Sequence, residues 1–392
     1  MHIVSEMTDV EHTPPVVGPR WGSFTLVCLA YLVATTGEQL LSPLFPTASQ
    51  ELGLGIGQGG IVFGLLTGSI ALFNLAGGLL LRRVSPSALI RIAATVGVLG
   101  SVVTATTDSF GQLIIGQIVL GASAGLFFPA GLQAVSILAG PARKGFAMGI
   151  YGVAFSGGLT LAAVLGALGS SHDWRLAFWV AAGLGAIAAI GGGGGGHARV
   201  KPVRGSHSRF SLRTVMALPT AVGTVLAVCQ YGAIPFLTTF AVQRWGLSPA
   251  SAATVLIVGR VISIAAKVVG GASADRVGAK TSARRTGVIL TVTGLAWVLL
   301  PGGLVTYGLA ALFAGMVSSL GPVANVLAVE RFGQDGMALG AYRSVQIALG
   351  AAASAIIGIS GELFGLRPTL AVSTLVPLAL LWICREARTA PD

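Results

Sequence analysis

The segment KVVGGASADR at residues 267–276 decides the fold, because an altered copy of it, NLAGGLLLRR, occupies residues 74–83. The two copies lie about half of the 392-residue chain apart. Two more pairs keep nearly the same offset: GFAMGIY at 145–151 with GMALGAY at 336–342, and Pro129 with Pro322. An internal repeat of this length predicts two similarly built halves with the same order of elements.

The composition places both halves in a membrane. Hydrophobic residues make up 54% of the chain and charged residues only 9%, whereas soluble domains carry about 25% charged residues. This balance excludes a soluble enzyme, a disordered chain and a secreted disulfide scaffold. A membrane-spanning helix needs about 20 apolar residues. Twelve apolar runs follow one another, at 23–44, 56–81, 87–106, 110–138, 145–169, 174–190, 214–240, 250–273, 285–301, 303–329, 336–360 and 368–384.

The positions of the basic residues predict the orientation in the lipid bilayer. Most of the 24 Lys and Arg residues follow even-numbered runs or lie near the chain ends, whereas the alternate loops carry only Arg175, Arg244 and Arg367. By the positive-inside rule, we expect both termini in the cytoplasm and the chain in the cell membrane (inner or plasma membrane). The net charge of +11 then reflects topology, and we expect no nucleic-acid partner.

We expect five segments along the chain. A cytoplasmic tail at 1–22 precedes a six-helix bundle at 23–190, and a second six-helix bundle at 214–384 precedes a short cytoplasmic tail at 385–392. Between the bundles, residues 191–213 begin with six glycines and carry five basic residues and no acidic one. Consecutive glycines do not sustain a helix, so this segment is predicted to be a flexible cytoplasmic linker.

Residues 271–280, GASADRVGAK, resemble the loop signature of the major facilitator superfamily, G-x-x-x-D-R-x-G-x-[RK], and follow the eighth apolar run, as in that family. The first-half copy has Arg82 in place of the acid and Ser85 in place of the second glycine. In the fourth run, QIVLG at 117–121 resembles the family's R-x-x-x-G pattern with glutamine for arginine. The resemblance implies an all-α membrane protein with twelve transmembrane helices in two pseudo-symmetric six-helix bundles. It also implies secondary transport by alternating access.

The same resemblance implies two further roles. The loop residues Gly271, Asp275, Arg276, Gly278 and Lys280 would form a latch at the cytoplasmic ends of the helices in the outward-facing state. Lys267, four positions before the loop, resembles the arginine position of the monocarboxylate, oxalate and nitrate branches, where a cation holds an anion. Lysine supplies a point charge without the bidentate fork of arginine. Its repeat-mate is Asn74, so the implied site has one charged and one neutral wall.

Ionisable residues at membrane depth are the candidates for function, because each costs about 2.5–3.5 kcal/mol on insertion scales. Glu38 is the one acidic residue deep within a run and shares a helical face with Tyr31 and Thr35. A carboxyl group in that position is expected to take up and release a proton. Arg260 and Lys267 lie two turns, about 10 Å, apart on one helical face. We expect these cations to line a central cavity and contact an anionic solute.

Other polar residues within runs are candidates for solute contact or for contacts between helices. They are Gln117, Gln133, Tyr231, Asn325, Tyr342, Arg343 and Gln346. Alternatives stay open for the charged residues as well. Glu38 could lie at the outer interface, Lys267 could reach the cytoplasmic surface, and Arg260 could pair with Glu38. Arg343 could form a salt bridge near the cytoplasmic mouth.

The sequence predicts neither a cofactor nor a metal site. No phosphate-binding G-x-x-x-x-G-K-[ST] pattern occurs, and the G-x-G-x-x-G match at 55–60 precedes a membrane run with no strand before it. Cys28, Cys229 and Cys384 lie far apart, without paired or ligand spacing. The energy for transport is therefore expected from an ion gradient or from the gradient of the solute.

We expect a monomeric secondary transporter, not an enzyme, for a small organic solute with an anionic or zwitterionic group, coupled to protons. The alternative is a multidrug or metabolite efflux proton antiporter. Compact loops and the single deep acid favour this alternative, whereas the missing Gly-Pro pair in the fifth run disfavours it. A receptor or scaffold without transport is a third possibility, and it predicts no substrate-dependent opening.

Overall fold

The computed structural model describes residues 20–139, 144–191, 217–332 and 336–385. Most of the predicted tail at 1–22, most of the linker at 191–213 and the tail at 385–392 beyond residue 385 lie outside the described residues. Within the described ranges the regular elements are helices, with no strand. This agrees with the all-α class predicted from the repeat and the apolar runs.

Twelve helices follow one another in the described residues. They are α1 (Trp21–Leu52), α2 (Ile56–Leu80), α3 (Pro86–Ala105), α4 (Phe110–Ala139), α5 (Lys144–Ser170), α6 (Trp174–Gly191), α7 (Leu218–Trp245), α8 (Pro249–Val277), α9 (Ala279–Leu299), α10 (Leu304–Phe332), α11 (Gly336–Phe364) and α12 (Leu366–Ile383). Eleven are long and apolar enough to cross a membrane. The exception, α9, begins with Lys280, Arg284 and Arg285 in its first turns. The predicted twelve-helix architecture is confirmed, with eleven of the helices meeting the length and apolarity of a membrane span.

The outside of the bundle is covered with large apolar side chains. Their exposed fractions range from 37% for Ile137 to 87% for Leu304, and Trp382 on α12 exposes 74%. Hydrocarbon solvates such a surface, whereas water does not. The protein is therefore a multi-pass membrane protein.

The centre of α7 departs from regular α-helix. Val228–Ala233 form a wide π-helical turn, and Ile234–Phe236 form a tight 3-10 turn after it. Pro235 has no backbone N–H to donate, which prevents the regular bonding pattern. Wide turns of this kind are frequent at functional sites. Tyr231 lies within the wide turn and is directed toward the centre of the protein.

We call the end of the bundle with the loops after even-numbered helices the basic face, since Arg82, Arg83, Arg276 and Lys280 are exposed there. The other end is the opposite face. Gly278 in the loop between α8 and α9 has a φ of 83° and a ψ of 147°. Only glycine adopts this conformation without strain, which explains the second glycine of the loop signature.

The two halves touch at the opposite face along α2 and α11. A methyl group on Gly60 would lie 2.6 Å from the Cα of Gly358 and 2.8 Å from the Ser354 carbonyl oxygen, so only glycine allows this approach. The Glu362 carboxylate of α11 accepts a hydrogen bond from the Gly57 N–H in the first turn of α2. The G-x-G-x-x-G segment therefore serves contact between the halves.

A second contact closes the opposite face between α1 and α7. The Ser42 hydroxyl donates to the Pro235 carbonyl oxygen at 3.3 Å, and the Thr238 hydroxyl donates to the Ser42 carbonyl oxygen at 2.8 Å. These two bonds join α1 to α7 at the opposite face.

The same helices diverge toward the basic face. Gly78 shares a helical face with Gly60 on α2, five turns away, and Gly340 shares a face with Gly358 on α11. A methyl group on either Gly78 or Gly340 would have no atom within 4 Å. Since α2 and α11 touch at one end and not at the other, the cleft between the halves narrows at the opposite face and widens at the basic face.

Candidate functional site

A small cavity of about 30 Å³ lies at the centre of the protein, between the two halves. The first half contributes side chains from α1, α2, α4 and α5, and the second half contributes side chains from α7 and α11. Its lining consists of Tyr31, Ala34, Thr35, Glu38, Ile70, Asn74, Ala124, Phe128, Phe155, Tyr231, Arg343 and Ile347. Five candidates from the sequence, Tyr31, Glu38, Asn74, Tyr231 and Arg343, thus lie around one space.

Glu38 and its neighbour Gln39 connect the two halves through Arg260. Glu38 is 7% exposed and accepts a hydrogen bond from the Gln39 side-chain amide at 2.8 Å. The carbonyl oxygen of the same amide accepts a hydrogen bond from the Arg260 guanidinium of α8 at 3.4 Å. The acid and the arginine therefore interact through one amide group. Gln39 was not among the predicted site residues, although its polarity at membrane depth was visible in the sequence.

Arg260 lies beneath this amide and does not line the cavity. Its side chain is only 2% exposed, and one guanidinium nitrogen, Nη1, has no hydrogen-bond partner among the described residues. The arginine is held in protein close to the cavity wall. The pairing of Arg260 with Glu38, one alternative from the sequence, takes this indirect form.

Lys267 of α8 contacts two neighbouring residues of α5. Its ammonium group donates a hydrogen bond to the Ser156 hydroxyl at 2.6 Å and lies 4.6 Å from the centre of the Phe155 ring. The face of an aromatic ring attracts a cation through its quadrupole. Phe155 lines the cavity, so Lys267 lies directly behind a wall of the central space.

Arg343 of α11 makes the equivalent contact with α4. Its guanidinium carbon lies 5.3 Å from the centre of the Phe128 ring, and its Nε is buried without a hydrogen-bond partner among the described residues. Both Arg343 and Phe128 line the cavity. Two cations of the second half thus rest on two aromatic rings of the first half. No feature of the sequence singled out either phenylalanine.

Positive charge exceeds negative charge around the cavity. Arg260, Lys267 and Arg343 surround a region in which Glu38 is the one acidic side chain. The ion pairs found in the described ranges both involve Arg175 at the opposite face, with Glu51 and with Asp108. The central cations therefore have neutral partners, namely an amide, a hydroxyl and two rings.

Aromatic stacking fixes one wall of the cavity. The Tyr31 ring stacks on Tyr151 at 4.1 Å between ring centres and on Phe127 at 5.5 Å, with nearly parallel planes. The Tyr151 hydroxyl is buried and has no hydrogen-bond partner among the described residues. This stack joins α1, α4 and α5 and holds Tyr31 against the cavity.

Other predicted polar residues lie outside the cavity. Gln117 of α4 is buried and donates to the Thr104 hydroxyl of α3 at 3.3 Å. Gln346 of α11 is buried next to Gly223 of α7, and Asn325 of α10 is exposed. Tyr342 packs against Phe332. These side chains serve contacts between helices or face outward in this conformation.

The predicted latch residues lie at the basic face. Asp275, Arg276 and Lys280 are exposed, and within the described ranges Asp275 has neither an ion pair nor a hydrogen bond through its side chain. The cleft is open at this face, which accounts for the lack of such contacts to Asp275. Among the described residues, no group of three potential metal ligands is close enough to hold an ion.

A family model described as Major Facilitator Superfamily matches residues 27–355. Among curated proteins, the probable sulfoacetate transporter SauU of Cupriavidus necator is 28% identical over 163 residues, which are 41% of this chain and 37% of that protein. The uncharacterized MFS-type transporter Rv1877 of Mycobacterium tuberculosis is 28% identical over 160 residues, 40% of this chain and 23% of that protein. The matched segment thus spans well under half of each relative.

Solved structures share the fold over nearly the whole chain. A bacterial homolog of the human lysosomal transporter Spinster, inward-facing and occupied, has a TM-score of 0.73 at 14% identity, covering 93% of this chain and 96% of that chain. The human organic anion transporter MFSD10 (TETRAN) has a TM-score of 0.68 at 18% identity, covering 95% of this chain and 100% of that chain. At these identities the likeness concerns the fold alone.

Proposed function

The chain belongs to the major facilitator superfamily, and from this premise we propose that it carries a small organic anion across the cell membrane by proton-coupled alternating access. The observation that carries the proposal is the pair of partly buried cations, Lys267 and Arg343, whose direct contacts at the central cavity are with neutral groups. The solute supplies the missing negative charge.

Energetics favours an anion over a neutral solute. A buried charge without a counter-ion is destabilising, and an aromatic ring compensates only part of that cost. An acid group forms charge-assisted hydrogen bonds with ammonium and guanidinium groups, which are stronger than neutral ones. The names of two similar proteins agree with this class of solute, since sulfoacetate is a small organic anion and MFSD10 is called an organic anion transporter.

Proton coupling is assigned to Glu38. The carboxyl group faces the cavity, from which a proton can reach it, and the Gln39 amide connects it to Arg260 in the other half. An ionised carboxylate accepts from the amide NH₂ and so orients the amide oxygen toward Arg260. Protonation of Glu38 removes the ionised acceptor and so weakens this orientation of the Gln39 amide. The charge state of Glu38 thereby affects a contact between the two moving halves, which is what coupling requires.

The orientation follows from the basic loops. We assign the basic face to the cytoplasm, with both chain termini there. The widening of the cleft at that face then corresponds to an inward-facing conformation. In the outward-facing conformation, Asp275 and Arg276 would latch the cytoplasmic ends of the helices, and the two bundles, 23–190 and 214–384, would rock about the cavity.

Reconstituted vesicles test the proposal. The purified protein should exchange small organic anions and should accumulate them when a pH gradient is applied. Glu38→Gln should abolish accumulation and leave anion exchange in place. Unchanged accumulation in Glu38→Gln would overturn the role of this carboxyl group, and the absence of any anion exchange by the wild type would overturn the proposed function.

A multidrug or metabolite efflux antiporter is the second candidate. The aromatic wall of Tyr31, Phe128 and Phe155 favours it, because rings of this kind bind varied apolar compounds. The excess positive charge disfavours cationic drugs. Expression in a pump-deficient host with cationic and neutral drugs separates the candidates, since resistance to cationic drugs would favour efflux and unchanged sensitivity would favour the anion.

A further inference from the structure

The two cations of the second half define the solute more narrowly. We infer that the solute is a small dianion, and that its two acid groups take the places of the Phe128 and Phe155 rings at Arg343 and Lys267. This inference rests on the proposed function, because it specifies the anion that the same cavity takes.

The charges around the cavity leave two positive charges to be balanced. Glu38 reaches Arg260 through the Gln39 amide and lines the same cavity as Arg343, so this one acid balances one of the three positive charges. Three cations, Arg260, Lys267 and Arg343, against this one acid leave two positive charges. The remaining acidic residues of the described ranges lie at the two faces: Glu51, Asp108, Asp173, Asp275, Glu330 and Glu362. A monoanion would leave one of these two positive charges unbalanced, whereas a dianion balances both.

The rings occupy the positions that acid groups would take. Phe128 and Phe155 belong to the first half, and the cations that rest on them belong to the second half. The electron-rich face of a ring is a weak substitute for an anion. Both rings also line the cavity, which holds only about 30 Å³ in this conformation. A bound solute must therefore displace the rings, and in doing so it replaces both weak partners with strong ones.

The two cations differ in what they accept. Arg343 offers a planar fork, which fits a carboxylate through two parallel hydrogen bonds. Lys267 offers a point charge, and the Ser156 hydroxyl beside it adds a second donor once the ammonium group turns to the solute. Neither the ammonium group nor the hydroxyl requires a planar acid group. One end of the dianion is thus expected to be a carboxylate, whereas the other end can be any compact acid group.

Binding of matched acids tests the inference. Succinate and malonate carry two negative charges at neutral pH, and their half-amides, succinamate and malonamate, have nearly the same size with one charge fewer. Calorimetry on the purified full-length protein in nanodiscs should give at least tenfold tighter binding of each dianion than of its half-amide. Arg343→Gln and Lys267→Gln should each weaken dianion binding at least tenfold and change half-amide binding less than threefold.

Three control variants sharpen the test. Arg331→Gln removes an exposed charge from the basic-face end of α10 and should leave the dianion preference unchanged. Arg343→Lys retains the charge and should retain the preference, so it separates loss of charge from loss of folding. Phe128→Leu removes the ring that competes for Arg343, and dianion binding should become at least twofold tighter. Weaker dianion binding by Phe128→Leu would overturn the displacement of the ring.

The outcomes distinguish a failure of the dianion inference from a failure of the proposed anion transport. Equal affinities for dianions and half-amides, or equal losses of both in Arg343→Gln, would overturn the dianion while the anion transporter stands. Failure of the folded wild-type protein to bind any of the four acids would overturn both. Dianion preference that disappears in Arg343→Gln and Lys267→Gln supports the inference.

Discussion

Replacing Gly60 with alanine should push α2 and α11 apart at the opposite face and shift the protein toward conformations that are open there. The added methyl group would lie 2.6 Å from the Cα of Gly358 and 2.8 Å from the Ser354 carbonyl oxygen. Carbon atoms pack at about 3.5–4.0 Å, so the helices must separate by about 1 Å. Both neighbours are backbone atoms, which cannot rotate away.

The magnitude follows from this overlap. Extra methyl groups in well-packed interiors cost about 1–3 kcal/mol. The cost applies only to the conformation in which α2 and α11 touch, so the equilibrium between closed and open forms should shift roughly 5- to 150-fold. Gly78→Ala is the matched control, because Gly78 lies on the same face of α2 and a methyl group there has no atom within 4 Å.

Spin-label distances at the opposite face measure this shift. His172 and Gln243 are exposed there, one in each half, and can be replaced with cysteine for labelling. The native cysteines Cys28, Cys229 and Cys384 are buried, so the label should favour the introduced sites. Gly60→Ala should add a population at longer distance, and Gly78→Ala should not. Identical distance distributions for Gly60→Ala and the wild type would refute the reasoning.

Three further predictions concern single contacts. Glu362→Gln should increase the population that is open at the opposite face severalfold, as measured by the same spin-label distances. The reason is that the Gly57 N–H at the start of α2 loses a charged acceptor worth about 0.5–2 kcal/mol. An unchanged distance distribution would show that this cap does not hold the halves together. Gln39→Leu should lower the free energy of unfolding by about 1–3 kcal/mol, because Arg260 loses its hydrogen-bond partner, and a thermal melt with an undiminished midpoint would contradict this. Tyr151→Phe should leave the melting midpoint unchanged or slightly raised, since the buried hydroxyl has no partner among the described residues; a clear loss of stability would reveal a bond to this hydroxyl.

The architecture was predictable from the sequence because hydrocarbon imposes a simple rule on the chain. Each span needs a long apolar run, and the runs and the repeat around Lys267 and Asn74 gave the number and order of the helices. The polar residues of α1 were also predictable. Tyr31 and Glu38 share one helical face, and a charge at this depth needs a polar environment, which the central cavity provides.

The partners of the cations were not predictable. Phe128 and Phe155 lie in apolar runs, where an aromatic residue that faces a cation looks the same as one that faces lipid. Gln117 and Asn325 are the converse case, because they are polar residues within apolar runs that do not lie at the cavity. Helical periodicity gives the residues that share a face, but the rotation of that face toward the cavity depends on packing between helices. The alternation of polar and apolar residues alone therefore does not predict that rotation.

Counterflow of radiolabelled anions in vesicles most directly tests whether Lys267 and Arg343 recognise the solute. Vesicles loaded with an unlabelled small organic anion should take up its labelled form through the wild-type protein, and the Lys267→Gln/Arg343→Gln double variant should lose this uptake while retaining its fold. If the double variant exchanged the same anions with an unchanged KM, the two cations would have no part in recognition and the proposed anion site would be wrong.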